Sequence, residues 1–309
     1  MHEHDRIGVN IVVTGISAAA GFAVGGPDGA AVGAVLPEVV REITSRRVRN
    51  VESVADDACE LAGLTGPELV DWVSRMHAGG ALICSACSGI FLLAETGLFD
   101  GADATVHFGY AGAFAAAFPQ VPIHPERVLV VSGRREELIS SGASMTWHDL
   151  VLYLIARHAG ATAAQTIARF FALQWHQDGL APYIVFEGRK DHGDTAIQTA
   201  QDWVATHFSV ANPLEEMILR AGLTGRTFKR RFTAAAGVSP IAYVQRLRIE
   251  EAKRRLEGTE ASVDEISWQV GYEEPAFFRR LFKRVTGLAP GAYRRRFQIP
   301  EFARSDKNT

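Results

Sequence analysis

The sequence predicts an α/β domain followed by an all-α domain, and three observations carry that prediction. Residues 1 to 195 hold 13 Lys+Arg against 22 Asp+Glu, residues 196 to 309 hold 19 against 13, and a chain of formal net charge −3 therefore divides into an acidic part and a basic one. The basic part contains a duplication: Phe228-Lys229-Arg230-Arg231-Phe232, Gly237-Val238-Ser239-Pro240 and Tyr243 recur 50 residues later as Phe278-Arg279-Arg280-Leu281-Phe282, Gly287-Leu288-Ala289-Pro290 and Tyr293. The acidic part contains Ala81-Leu82-Ile83-Cys84, an apolar run of strand length, then Cys87-Ser88-Gly89 as a sharp turn and Ile90 to Thr96 as a helix closed by Gly97. A chain of 309 residues with 47% hydrophobic content is long enough for two cores.

Each copy of the duplication is predicted to be a short helix, a turn and a second helix. In the first, Asn212 is the expected cap, Pro213 takes the first helical position and Glu215 is placed to complete a capping box; the helix runs to about Ala221 and Gly222 supplies the turn. Thr224 is expected to cap the next helix, in which Phe228, Phe232 and Ala236 share a buried face and Arg226, Lys229 and Arg230 point outward. In the second copy Ser262 and Glu265 form the capping box, Ile266 and Val270 the buried stripe, and Gly271-Tyr272 the turn before a helix starting near Glu274. Phe278, Phe282 and Val285 face inward there, leaving Ala276, Arg279, Arg280 and Lys283 outside. From Ile241 to Leu256 an amphipathic helix joins the copies, with Val244, Leu247, Ile249, Ala252 and Leu256 apolar among Gln245, Arg246, Arg248, Lys253 and Arg254.

A helix, a turn and a basic second helix is the helix-turn-helix way of setting side chains into a DNA major groove, and two such heads serving one face of a duplex should sit about 34 Å apart. A basic segment is expected where only that segment approaches phosphate. The stretch from about Gln198 to Phe297 resembles the DNA-binding domain of the AraC/XylS family of bacterial transcription regulators, with Gly271-Tyr272 through Phe278, Phe282-Lys283, Gly287, Pro290 and Tyr293 matching its signature. The resemblance implies base-edge contacts from Arg226, Lys229 and Arg230 in the first recognition helix and from Pro275, Ala276, Arg279 and Arg280 in the second.

In the acidic part, strand, tight turn and helix make a nucleophile elbow, which exposes a side chain above the carboxyl edge of a parallel sheet. Ser85-Ala86-Cys87-Ser88-Gly89, with Leu93-Ala94, Gly97-Leu98, Asp100-Gly101, Ala104-Thr105 and His107, resembles the PfpI-type class I glutamine amidotransferase-like domain over about residues 64 to 185. That resemblance implies a flavodoxin-like parallel sheet and makes Cys87 and His107 the candidates for catalysis. No acidic partner for the thiol is recognisable, and residues 1 to 63 depart from the family's strand and helix, reading Gly21 to Gly29 and then a charged segment from Glu38 to Glu60. The expected role of this domain is to sense a small molecule or to mediate dimerisation, with a buried or ligand-sensing cysteine. Its extent is 1–186, a polar glycine-containing linker follows over 187–197, and the DNA-binding domain occupies 198–309.

The remaining motifs read as ordinary structure. Trp147-His148-Asp149 opens an apolar helix as cap and core, its histidine and aspartate expected on different faces. Ala111 to Phe118 and Ala161 to Trp175 are apolar enough for core, with Phe170, Phe171 and Trp175 alternatively at a subunit interface. The glycines lack the spacing of a nucleotide-binding loop, Cys84 and Cys87 lack a second ligand pair for zinc, and neither a membrane span nor a secretory leader is evident, so neither cofactor nor metal is expected and the location is cytoplasmic. The chief expectation is a sequence-specific transcription regulator, a homodimer on double-stranded operator DNA that answers a small-molecule effector and touches RNA polymerase if it activates. The alternative is a cysteine-dependent hydrolase or lyase with an accessory DNA-binding module.

Overall fold

The computed structural model describes residues 11–15, 66–300 and 303, and for 11–15 the backbone only. Chain contacts divide it into two units, Met1–Leu180 and Ala181–Thr309. The glycine cluster Gly21–Gly29 and the charged segment Glu38–Glu60 lie outside the described residues.

In the first unit β1 (Ile11–Gly15), β2 (Leu82–Ala86), β3 (Leu129–Ser132) and β4 (Leu138–Ser141) form one sheet in the order β1-β2-β4-β3. β1 and β2 are parallel, as are β2 and β4, whereas β3 runs antiparallel to β4. The sheet is therefore mixed over these strands rather than wholly parallel. β1 supplies a first strand that was not recognised in the sequence: Ile11-Val12-Val13-Thr14 is a β-branched run suited to a sheet and pairs in register with Leu82 to Ser85.

Successive side chains of a strand point to opposite faces, and here both faces are covered. Ile83 and Leu138 enter a core with Val73 of α1 (Gly66–Ala78), Ile90, Phe91 and Leu93 of α2 (Ile90–Ala94) and Phe114 of α3 (Ala111–Ala117). Cys84 and Ile139 face the other way, onto Leu150 and Leu154 of α4 (Trp147–Ala159). Two helices are less buried than their composition suggests. In α3 the buried residue is Phe114, and α5 (Ala161–Phe170) ends on Phe170 and Phe171, which are 80% and 60% exposed.

The second unit is helical: α6 (Thr195–His207), α7 (Pro213–Ala221), α8 (Gly225–Ala236), α9 (Pro240–Gly258), α10 (Val263–Gln269), α11 (Pro275–Thr286) and α12 (Pro290–Phe297). It has two cores. Ile197, Met217, Phe228, Phe232, Tyr243 and Val244 make one, while Ile249, Leu256, Ile266, Phe278, Phe282 and Tyr293 make the other. Tyr243 and Val244 near the start of α9 belong to the first core and Ile249 to Leu256 to the second, so one helix is the shared spine. Among the described residues no helix is long and apolar enough to cross a membrane.

Residues 187–194, the first part of the stretch 187–197 read as a linker, are bonded within this unit. The Arg189 carbonyl accepts from Gln201 Nε2, Lys190 pairs with Asp202, and a side chain at Gly188, where φ is +69°, would collide with the Tyr243 ring.

Candidate nucleic-acid interface and the cysteine turn

The repeated sequence builds a repeated backbone. α8 and α11 both end at a glycine in the left-handed region, Gly237 at φ +72° and Gly287 at φ +79°, which terminates a helix at little steric cost. Ser239 and Ala289 then take nearly the same extended conformation, and Pro240 and Pro290 open α9 and α12 where no amide proton is needed. Tyr243 packs edge-on against Phe232 at 5.2 Å between ring centroids, as Tyr293 does against Phe282 at 5.4 Å. Burying these rings on one face of α8 and of α11 leaves their basic residues on the other.

Arg226, Lys229 and Arg230 are exposed on α8, and Ala276, Arg279 and Arg280 on α11, while Pro275 at its start is half-buried. Arg279 differs from the rest because its Nη2 donates to Asp264 Oδ1 of α10 at 2.5 Å, a tether to the helix before the turn. The capping box of α10 is present in both directions, with Ser262 N donating to Glu265 Oε2 at 2.6 Å and Glu265 N to Ser262 Oγ at 3.2 Å. Two other expected caps are not made. Asn212 has no side-chain cap bond, leaving Pro213 to fix the start of α7, and Thr224 donates to the Thr227 hydroxyl instead of capping α8. A side-chain cap is made instead at the start of α6, where Asp194 accepts from Ile197 N and also receives Arg231 of α8 through two hydrogen bonds of 2.7 and 2.9 Å.

Two cations placed on the solvent side of the spine by the sequence pattern are in fact buried. Arg248, 8% exposed, donates to the carbonyls of Phe208, Val210 and Gly271 and lies 4.9 Å over the Tyr272 ring. Lys253, 4% exposed, donates to Ile184 O and to Glu250. A helix packed on two sides has no continuous solvent face, which is why the amphipathic reading of α9 fails at these positions.

A family model described as a helix-turn-helix domain matches residues 218–296, the span from the end of α7 to α12. The carboxy-terminal unit carries a helix-turn-helix domain. The chain is 28% identical over 242 residues to the HTH-type transcriptional regulator CdhR of Pseudomonas aeruginosa, covering 72% of this chain and 66% of that protein. It is 25% identical over 259 residues to the HTH-type transcriptional regulator GlxA of Rhizobium meliloti, covering 80% of this chain and 78% of that protein. Both matches are longer than the second unit, so both extend into the first. Among solved structures, the C-terminal domain of AraT, a response regulator from Geobacillus stearothermophilus, aligns at 26% identity over 38% of this chain and 98% of that one, with a TM-score of 0.35.

In the first unit the turn after β2 has the elbow shape. Cys87 stands between strand and 3₁₀ turn (Cys87–Gly89) at φ +57°, a conformation that a non-glycine residue adopts only under constraint. The side chain is buried, 3% exposed, with Sγ 3.4 Å from Ser144 Oγ. His107, the second candidate, accepts from Gly109 N through Nδ1 and stacks on Phe108 at 4.4 Å; burial lowers its pKa. Burial, and then the neighbouring Cys87, raise the pKa of the Tyr110 phenol. Cys84 is an ordinary core thiol, which burial pushes up to about 12. The pair at the start of α4 departs from expectation: His148 and Asp149 are both buried, and Asp149 receives His176 N on Oδ1 at 3.0 Å and His176 Nδ1 on Oδ2 at 2.7 Å. An aspartate in the first turn of a helix was legible as a capping residue, but its partner 27 residues away was not.

Proposed function

We propose that this protein is a DNA-binding transcription regulator that reads operator DNA with α8 and α11, and whose first unit holds two copies together and answers a small-molecule effector. The observation that carries the reading is the duplicated recognition helix, with Arg226, Lys229 and Arg230 exposed on one copy and Ala276, Arg279 and Arg280 on the other. Pro275 at the first turn of α11 brings the backbone there close to the groove. Guanidinium groups on such a helix read guanine edges through paired hydrogen bonds, and the remaining cations neutralise phosphate. Two modules in a dimer require spaced half-sites, and an effector that favours one arrangement of the pair shifts operator affinity. An activator of this design would also present a surface to RNA polymerase.

Selection of full-length protein on random duplexes at two salt concentrations tests this. The expected result is an enriched motif with recurring half-sites, and salt-sensitive retention without enrichment would refute sequence-specific reading.

A second reading, a thiol-dependent hydrolase or lyase, is favoured by the left-handed Cys87 between strand and helix. It requires rapid alkylation of Cys87 at pH 7. The burial of Sγ beside Ser144 instead leads to slow alkylation, and a Cys87→Ala variant that keeps operator affinity and lacks no measurable turnover would end that reading.

A further inference from the structure

We propose that the first unit binds one first-row divalent cation of the zinc class at His148, Asp149 and His176. One ligand atom from each of the three lies within 4.8 Å of the others. Two imidazoles and one carboxylate are the donor set that suits such ions.

The hydrogen bonding around His148 carries the inference. Its Nε2 faces two oxygens, Gln174 O at 2.8 Å and Asp149 Oδ2 at 3.5 Å, while its Nδ1 is buried and meets no partner. A neutral imidazole has one proton. With that proton on Nε2 the Nδ1 lone pair is left over in the interior; with it on Nδ1 the Nε2 lone pair confronts a carbonyl and a carboxylate. Either tautomer leaves a buried lone pair that a cation would take up. The residue is 6% exposed and Asp149 is 3% exposed, so neither is a casual surface ligand.

Spacing agrees with capture of an ion. Ligands held about 2.0–2.2 Å from a tetrahedral centre stand about 3.4 Å apart. The His148–Asp149 distance of 3.5 Å already meets that, and the 2.7 Å hydrogen bond between Asp149 and His176 would open as the ion displaces its proton. The chain brings His176 there deliberately: after α5 it turns back through Ala172 at φ +53°, a conformation costly for alanine. Asp149 and His176 also line a cavity of about 640 Å³ with Glu126, Arg127, Tyr153 and Trp175. That cavity gives the ion a way in and leaves its remaining coordination position open to water or a small ligand. The site stands on these contacts and does not depend on the DNA-binding reading.

The test is titration of chelator-stripped full-length protein with Zn²⁺ by calorimetry and with Co²⁺ by visible absorption. His2 and His4 near the amino terminus and the three cysteines Cys59, Cys84 and Cys87 are other potential ligands, so a His2→Ala/His4→Ala variant is run in parallel. One equivalent per chain is expected, with cobalt bands that lack a thiolate charge-transfer component, unchanged in the His2/His4 variant, and at least 100-fold weaker binding in His176→Ala and in Asp149→Asn. Retained circular dichroism in both variants separates loss of ligand from loss of fold. No saturable binding below millimolar metal, binding that survives both variants, or binding lost with His2 and His4 would each overturn the site and leave His176–Asp149 as a hydrogen-bonded tether.

Discussion

Replacing Arg248 with alanine should release the joint between the two halves of the helical unit. Its guanidinium is 8% exposed and spends all three nitrogens on carbonyls, Nε on Phe208 O at 2.7 Å, Nη1 on Gly271 O at 2.8 Å and Nη2 on Val210 O at 2.9 Å. Phe208 and Val210 belong to the connection between α6 and α7, and Gly271 to the turn of the second helix-turn-helix, so one side chain of the spine ties both. A hydrogen bond from a charged donor is worth about 1.5–3 kcal/mol, and an orphaned buried carbonyl costs about 1–3 kcal/mol. These do not add, because relief of the desolvated charge offsets part of the loss, and the net expected for leaving three carbonyls without their donor is about 3–5 kcal/mol. For a unit of this size that corresponds to a fall of roughly 10–20 °C in its melting temperature. Calorimetry of the full chain, with hydrogen exchange to assign the transition, measures it. Arg248→Lys keeps a charge but not the three-pronged geometry and should fall between. A loss below about 1 kcal/mol, with amides of the 208–210 and 271 segments still protected, would refute the reasoning that this residue joins the halves.

Arg280→Ala should relax preference at one operator position by about 1–3 kcal/mol, whereas Lys229→Ala, if on phosphate, should weaken all sequences alike and lower the salt dependence; selection and titration at several salt concentrations distinguish them. Asp264→Ala frees Arg279 from its 2.5 Å partner and should broaden the selected motif at one position, an unchanged motif meaning that the tether does not set the pose. Gly271→Ala should destabilise the second half by at least about 2 kcal/mol, since φ there is +91° and the added methyl would sit 2.5 Å from Ser209 O; denaturant midpoints report it. Hydrogen bonds from Arg231 hold the Asp194 carboxyl below its ordinary value. A folded pKa below the unfolded one means stabilisation present above the unfolded value of about 3.9 and lost as pH falls through the folded value, so wild type and Asp194→Asn should differ at pH 7 and converge only in stronger acid.

The parts of this protein that could be read from sequence are those fixed within one or two turns of chain. Phe228 with Phe232 and Phe278 with Phe282 gave the buried faces, Ser262 with Glu265 the capping box, and Gly222, Gly237 and Gly287 the helix ends, each a contact between residues a few positions apart. What escaped joins distant segments: Arg248 to Phe208, Lys253 to Ile184, His176 to Asp149, and β1 to β2 across residues outside the described ones. The same division runs through the duplication itself. Both tyrosines occupy equivalent places on equivalent backbones, yet Tyr243 is packed by Phe186 from the segment before α6, whereas Tyr293 stacks on Phe297 at 4.4 Å and donates to Glu257 of the spine at 2.6 Å. Ser239 caps α9 with its hydroxyl, and Ala289 has none to offer α12. A repeat copied at the level of turns and rings is thus held by unlike partners, and the two heads need not share one stability. Because α9 contributes to both cores, a substitution that loosens its packing in one half should also lower the stability of the other, and amide exchange in a Phe228→Ala variant that left the 263–297 segment fully protected would refute that coupling.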